Sequence, residues 1–210
     1  MKKIIIAIDS FKGCLTSAEA GKAAEKGIKS INPFCHTSVI PIADGGEGLL
    51  DVLITATKGK YITLSAHGPL MKMAKTHYGL SGNGRTAIIE MAAISGLPLV
   101  PIEQRNPMLT TTFGTGELIK DALNKGCRNF IIGIGGSATN DAGLGMLQAL
   151  GFRFLDKSGH TLGTGGQIME AVANIDTSGI HPALRETHFM VACDVANPFY
   201  GPDGAAYIFA

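Results

Sequence analysis

Neither sign of charge dominates this sequence. Its 18 Lys and Arg stand against 17 Asp and Glu, and no basic run or aromatic-interleaved stretch is present to grip nucleic acid. Nothing approaches the ~20 consecutive apolar residues of a membrane span. The four cysteines, Cys14, Cys35, Cys127 and Cys193, form no CxxC pair, and the six histidines show no HExxH spacing. A disulfide framework and a Cys/His metal centre are therefore not what organises the chain. The apolar run at 4–8 is too short for a signal sequence and closes on Asp9, so a cytoplasmic protein is expected. No Walker pattern GxxxxGK[ST] occurs. What is abundant is apolar residues and glycine. With 45% hydrophobic against 17% charged residues, 210 residues can fill one large domain or two lobes sharing a cleft. The 28 glycines cluster between apolar runs, as they do where backbone is brought close to something.

The most informative stretch is 130–151, FIIGIGGSATNDAGLGMLQALG. Its apolar start, 130–134, reads as a strand buried on both faces. Gly135 and Gly136 free the backbone, and Ser137, Thr139, Asn140 and Asp141 crowd the point where a helix should begin. Leu144, Leu147, Ala149 and Leu150 then fall at helical spacing until Gly151 stops the run. A strand, a glycine turn and a helix start offer free N–H groups and a positive dipole end, which suits a phosphate. The same glycines would also serve a plain βα turn in which helix and strand pack closely. Gly133-x-Gly135-x-x-Ala138 further matches a loose dinucleotide fingerprint, with Asp156 ending a possible next strand.

Two similar units come earlier. Residues 4–8 form a strand, followed by the loop Asp9-Ser10-Phe11-Lys12-Gly13. Thr16 or Ser17 caps a helix to Ile31, with Ala18, Ala20, Ala23, Ala24, Gly27 and Ile28 as a small-residue packing face. Residues 36–42 form a second strand, then comes Asp44-Gly45-Gly46-Glu47-Gly48, then a helix over 49–57 that stops at Gly59. In open parallel sheets ligands sit at the C-terminal strand ends, where such loops lie. After Gly59 the pattern changes: 61–66, 71–80 and 85–91 read as strands, and Asn83-Gly84 signals a hairpin. A helix at 118–123 leads back, and 152–155, 171–176 and 188–192 are further strands.

The expected fold is α/β and two-lobed. Residues 1–59, 108–150 and 186–210 make a parallel, doubly wound sheet lobe. A second, smaller lobe of mixed or antiparallel character, 60–107 with 151–185, is inserted into it. The run 204–210 enters a new apolar element, so the natural chain is expected to continue past Ala210.

Four loops, 9–13, 44–48, 135–141 and 194–197, each follow an apolar run. Between them they supply Lys12, several carboxylates and a glycine cradle. A lysine with N–H groups suits a polyphosphate, and carboxylates suit Mg²⁺ or a general base. Singly each has a plainer reading, Asp44 and Asp141 as helix caps and Lys12 as a solvated lysine. Their recurrence on successive loops favours a phosphate-handling site.

Five motifs in order resemble the bacterial glycerate kinase family, class I. They are Asp9-Ser10-Phe11-Lys12-Gly13, Pro41-x-Ala43-Asp44-Gly45-Gly46-Glu47-Gly48, Gly114-Thr115-Gly116-Glu117-Leu118, Gly133-x-Gly135-Gly136-Ser137-Ala138-Thr139-Asn140-Asp141 and Cys193-Asp194-Val195-x-Asn197-Pro198. The resemblance implies ATP-dependent phosphorylation of D-glycerate to 2-phosphoglycerate with Mg²⁺, in a cleft between two α/β lobes. Glycerate and ATP are then the partners, and self-association as a homo-oligomer is left open. On this reading Lys12 meets phosphate, and Asp44 and Asp194 hold Mg²⁺ or address the substrate hydroxyl. Gly135, Gly136, Ser137, Thr139, Asn140 and Asp141 cradle the phosphoryl group, and Ser10, Gly45, Gly46 and Glu47 complete the nucleotide site. The chain departs from the family pattern in having Asp141-Ala142-Gly143 for the usual Asp-Gly-Gly, and in lacking the Gln-Lys-Gly segment that follows in family members. Two other readings stay open: a dinucleotide-binding oxidoreductase using 133–138 and Asp156, and a shortened chain that binds a ligand or partner without turnover.

Overall fold

In the computed structural model, which describes residues 3–11 and 13–208, the chain opens with a small parallel unit. Strand β1 (Lys3–Ile6) lies beside β2 (His36–Val39), with Lys3 opposite His36 and Ile6 opposite Val39. Helix α1 (Ser17–Ile31) makes the crossover. It starts where the sequence says it should. Thr16 Oγ1 accepts the Glu19 N–H at 3.2 Å while the Glu19 carboxylate accepts the Thr16 N–H at 2.9 Å, a reciprocal capping box. Its packing face is narrower than expected: Ser17, Ala20 and Gly21 are buried, whereas Ala18, Ala23 and Gly27 face solvent. Gly21 lets the helix press against β2, since a Cβ there would sit 2.4 Å from Val39 Cγ1. The buried Ser17 hydroxyl donates to the Ile8 carbonyl (2.6 Å) and accepts the Ile42 N–H (3.0 Å), so one side chain ties together the loops that leave β1 and β2. Lys12, assigned to phosphate above, lies outside the described residues.

Helix α2 (Leu49–Thr57) leads into an antiparallel meander of β3 (Lys60–His67), β4 (Met73–Leu80) and β5 (Thr86–Glu90). A short helix α3 (Ala92–Ser95) and the longer α4 (Phe113–Asn124) return the chain to β6 (Asn129–Gly133), which pairs with β5 in parallel. Then follow α5 (Leu144–Ala149), a separate antiparallel pair β7 (Arg153–Leu155) and β8 (Asn174–Asp176), and β9 (His188–Ala192), parallel to β6. A single turn, α6 (Ala205–Ile208), occupies the described part of the apolar run at 204–210. The large sheet has the order β3-β4-β5-β6-β9.

That sheet is mixed rather than purely parallel, because the Asn83-Gly84 turn returns β5 antiparallel to β4 before the chain crosses over to β6. It also draws strands from both groups of residues that spacing alone divided between lobes. The two faces of β5 explain its apolar run. Ala87 and Ile89 join Leu118, Ile119, Ala122, Phe130 and Ile132 beneath α4, while Ile88 meets Leu50 and Ile54 of α2 on the opposite face. Each fully buried Leu or Ile here stabilises the fold by about 1.5–3 kcal/mol before entropy is counted. The architecture is α/β and two-lobed, with the β1–α1–β2 unit beside the large sheet and its helices. No helix among the described residues is long and apolar enough to cross a membrane.

Candidate active site

The C-terminal ends of three parallel strands lie level, with Glu90 of β5 opposite Gly133 of β6 and Gly133 opposite Ala192 of β9. The 44–48 loop is seated on these ends. Gly45 has φ +100°, and a Cβ on it would stand 2.8 Å from the Ala192 carbonyl oxygen. A Cβ on Gly135 would stand 2.8 Å from Gly46 Cα. Only glycine allows such backbone-to-backbone approach. The structure thus brings together three of the four loops named from sequence: 44–48, the turn after β6, and the segment after β9 that carries Asp194. The fourth, 9–13, shares a different feature with 44–48. A cleft of about 470 Å³ is lined by Ser10, Phe11, Gly13, Glu47, Asp51 and Glu90 among others.

In the turn after β6, Gly136 takes φ +73°, and none of the described residues accepts from the N–H of Gly135, Gly136 or Ser137. Three successive free amides around a left-handed glycine form a concavity for an anion. The helix dipole expected behind them is missing. Helix α5 begins only at Leu144 and is six residues long. The polar residues that resemble its cap hold other loops instead: Ala138 N–H donates to Ser95 O, Asn140 N–H to Pro107 O, and Thr139 Oγ1 to Thr110 O at 2.7 Å. Ser137 Oγ bonds to Thr139 within the turn.

Asp141 is 1% exposed and its carboxylate accepts five donors: Thr111 Oγ1, the N–H and Oγ1 of Thr112, and the N–H groups of Gly143 and Gly145, all within 2.8–3.2 Å. It is wholly engaged in joining the 110–112 segment to the start of α5. Asp44 differs. It is exposed, and its Oδ1 accepts the Gly46 N–H at 2.9 Å. It does not cap α2, whose N-cap is Gly48. The cap is supplied from a distance by Glu90, a residue the sequence reading passed over, whose Oε1 accepts the Leu50 N–H at 2.9 Å. Burial pushes the Glu90 carboxyl above its ordinary range, against the lowering pull of the Leu50 amide. Its signal was in the sequence, as a carboxylate closing a buried apolar strand. Asp194 is exposed on the loop after β9.

Asp156 does not end a neighbour of β6. It closes β7, which forms a two-stranded sheet with β8 apart from β6, and its carboxylate accepts the N–H groups of Ser158 (2.8 Å) and His160 (2.9 Å). The dinucleotide fingerprint needs that acid at the end of the adjoining parallel strand, so the oxidoreductase reading loses its second element. Among the described residues no group of three or more His, Cys, Asp or Glu could hold a metal ion. A pair of carboxylates on abutting loops, Asp44 and Asp194, still suits Mg²⁺, which binds through one or two carboxylates completed by phosphate oxygens and water.

A model of the glycerate kinase family matches residues 4–210. The chain belongs to that family. Its relatives include a Bacillus subtilis (strain 168) protein named glycerate kinase, 53% identical over 207 residues, covering 99% of this chain and 54% of that one. A glycerate 2-kinase of Escherichia coli (strain K12) is 49% identical over 207 residues, with 99% and 54% covered. A crystal structure from Salmonella typhimurium LT2, provisionally named glycerate kinase 2, superposes with a TM-score of 0.88 at 48% identity, covering 99% of this chain and 56% of that one. The chain spans about half the length of the curated relatives it matches. One family motif, 114–118, is structural here: Glu117 at the first turns of α4 accepts the His67 N–H at 2.7 Å and bonds its ring Nδ1 at 2.9 Å, fixing α4 to β3.

Proposed function

We propose that this protein serves ATP-dependent phosphorylation of D-glycerate at its 2-hydroxyl, giving 2-phosphoglycerate and ADP. The observation that carries the reading is the convergence of the 44–48 loop, the Gly135–Gly136 turn and the Asp194 segment at level strand ends. In the reaction the hydroxyl oxygen bonds to the γ-phosphorus, the bond from that phosphorus to the bridging oxygen of ADP breaks, and the hydroxyl proton passes to a base. Positioning and charge stabilisation supply most of the catalysis in such transfers. The N–H groups of Gly135, Gly136 and Ser137, which have no acceptor among the described residues, receive phosphoryl oxygens on this reading. Asp44 and Asp194 hold Mg²⁺ or address the substrate hydroxyl, one of them taking its proton; bound there, Mg²⁺ would neutralise charge on the phosphates. Lys12 is assigned to phosphate by its motif. Ser10 and Glu47, on the cleft wall, border the nucleotide.

A coupled ADP-release assay with D-glycerate tests the reading, with phosphorus NMR to identify the product. The expected result is glycerate-dependent ADP release that requires Mg²⁺ and yields the 2-phosphate. ADP release indifferent to glycerate, in this chain and in one of the relatives' length, would overturn it.

A further inference from the structure

We infer that Glu90 is the positioning residue of the 44–48 loop: by holding the first amides of α2 it fixes that loop's height above the ends of β6 and β9. Three observations support this. Helix α2 has no side-chain cap of its own, and Gly48 before it is left-handed at φ +93°. Glu90 Oε1 takes the Leu50 N–H at 2.9 Å. Glu90 also stands in register with Gly133, whose β6 continues into the Gly135–Gly136 turn, and the Met91 N–H next to it donates to the Gly133 carbonyl at 2.9 Å.

The loop is therefore held at both ends. Gly45 and Gly46 rest on Ala192 and Gly135 by close contact, and Leu50, two residues past Gly48, hangs from Glu90. Asp44, whose own carboxylate is tied to the Gly46 amide, rides on the segment between β2 and these anchors. A protein carboxylate already fills the positive end of α2. A substrate phosphate is thereby directed away from α2 to the free amides of Gly135, Gly136 and Ser137. Burial raises the pKa of Glu90, with Asp51 adding to the rise, while the Leu50 and Gly48 amides and His77 oppose it. A carboxylate desolvated at such cost is one whose hydrogen bond to Leu50 matters.

The kinetic half of this inference rests on the proposed phosphoryl transfer, whereas the structural half does not. Glu90→Ala, Glu90→Asp and Glu90→Gln are compared by amide hydrogen exchange at Gly48 and Leu50 and by coupled turnover. Alanine removes the acceptor and aspartate withdraws it by one methylene, so both should speed exchange at these amides by about tenfold or more. Glutamine keeps an acceptor oxygen and should hold them within about threefold of the parent. In turnover, alanine and aspartate should lower kcat by about 10²-fold with a smaller change in KM, the mark of a displaced loop, and glutamine should restore most of it. Unchanged exchange in Glu90→Ala and Glu90→Asp overturns the inference. So does a Glu90→Gln protein with protected amides but turnover as low as alanine's, since Glu90 would then act through its charge. If the parent itself releases no ADP with glycerate, the functional reading fails and the exchange data still decide the role of Glu90.

Discussion

Asp141 and Asp44 are both aspartates followed closely by glycine, and their surroundings separate them. The Asp141 carboxylate faces donors on every side, so Asp141→Asn turns an amide NH₂ toward N–H and O–H groups that need an acceptor. Leaving buried polar groups unsatisfied costs about 1–3 kcal/mol, and more for a charged acceptor. The variant should unfold at lower urea, by at least that margin, in a denaturant titration followed by circular dichroism. Asp44→Asn should be the reverse. Its side chain is exposed and asparagine can still accept from the Gly46 amide, so stability should stay within about 0.5 kcal/mol. Turnover should nevertheless fall by orders of magnitude, because an amide is neither a base nor a strong ligand for Mg²⁺. Parent-like turnover in Asp44→Asn would remove Asp44 from the site.

At the scale of elements, caps and charges at the ends of short elements set local stability. Thr16→Ala deletes one half of the α1 capping box and should cost about 1 kcal/mol, read as a shift in the urea midpoint. In the β7–β8 pair, amides of the following turn and an arginine hold two carboxylates. The Ser178 amide and hydroxyl and the Arg153 guanidinium push Asp176 down to about 2, and the His160 and Ser158 amides lower Asp156. Folded values below the unfolded ones mean stabilisation that is present above the unfolded pKa and lost as pH falls through the folded one. The Ser178 amide should thus lose exchange protection between about pH 4 and pH 2, and those of Ser158 and His160 as pH falls below the ordinary carboxylate range, ahead of β5 and β6 in the core. Uniform loss across the sheet would contradict this. The same scale explains what could be read beforehand. Helix α1 was legible at both ends, and α2 at its C-terminal end, because Thr16, Asn32 and Gly59 act on the chain next to them. The start of α5 was not, because Ser137 spends its hydroxyl within its own turn, Thr139 on the carbonyls of Pro107 and Thr110, and Asp141 shares its carboxylate between Thr111, Thr112 and the amides of Gly143 and Gly145. The cap of α2 was hidden for the same reason, as it comes from Glu90, forty residues on.

For the molecule as a whole, the pairing of β5 with β6 matters most, and no local pattern announces it. A hairpin declares itself in two turn residues, whereas a parallel neighbour is chosen by which faces are left to cover. On that criterion the sheet is unevenly finished. Strand β5 is covered on both faces, as parallel strands normally are, and β6 buries Phe130 and Ile132 in the same core. Strand β9 stands at the edge, with Phe189 stacked on Phe130 at 5.0 Å yet 45% exposed, Met190 65% exposed and Val191 55%. Its outer N–H and C=O groups face away from β6. An apolar edge with open backbone groups is a template for another chain. Purified protein should therefore self-associate as concentration rises, with a light-scattering mass above the 21.9 kDa of one chain. Met190→Lys puts a charge on the exposed face without touching the core and should return the mass toward that of one chain. It should leave the unfolding midpoint nearly unchanged, since surface substitutions of this kind stay within about 0.5 kcal/mol. A parent protein that scatters as 21.9 kDa at every concentration would show that β9 is shielded by its own neighbours and is not an adhesive edge.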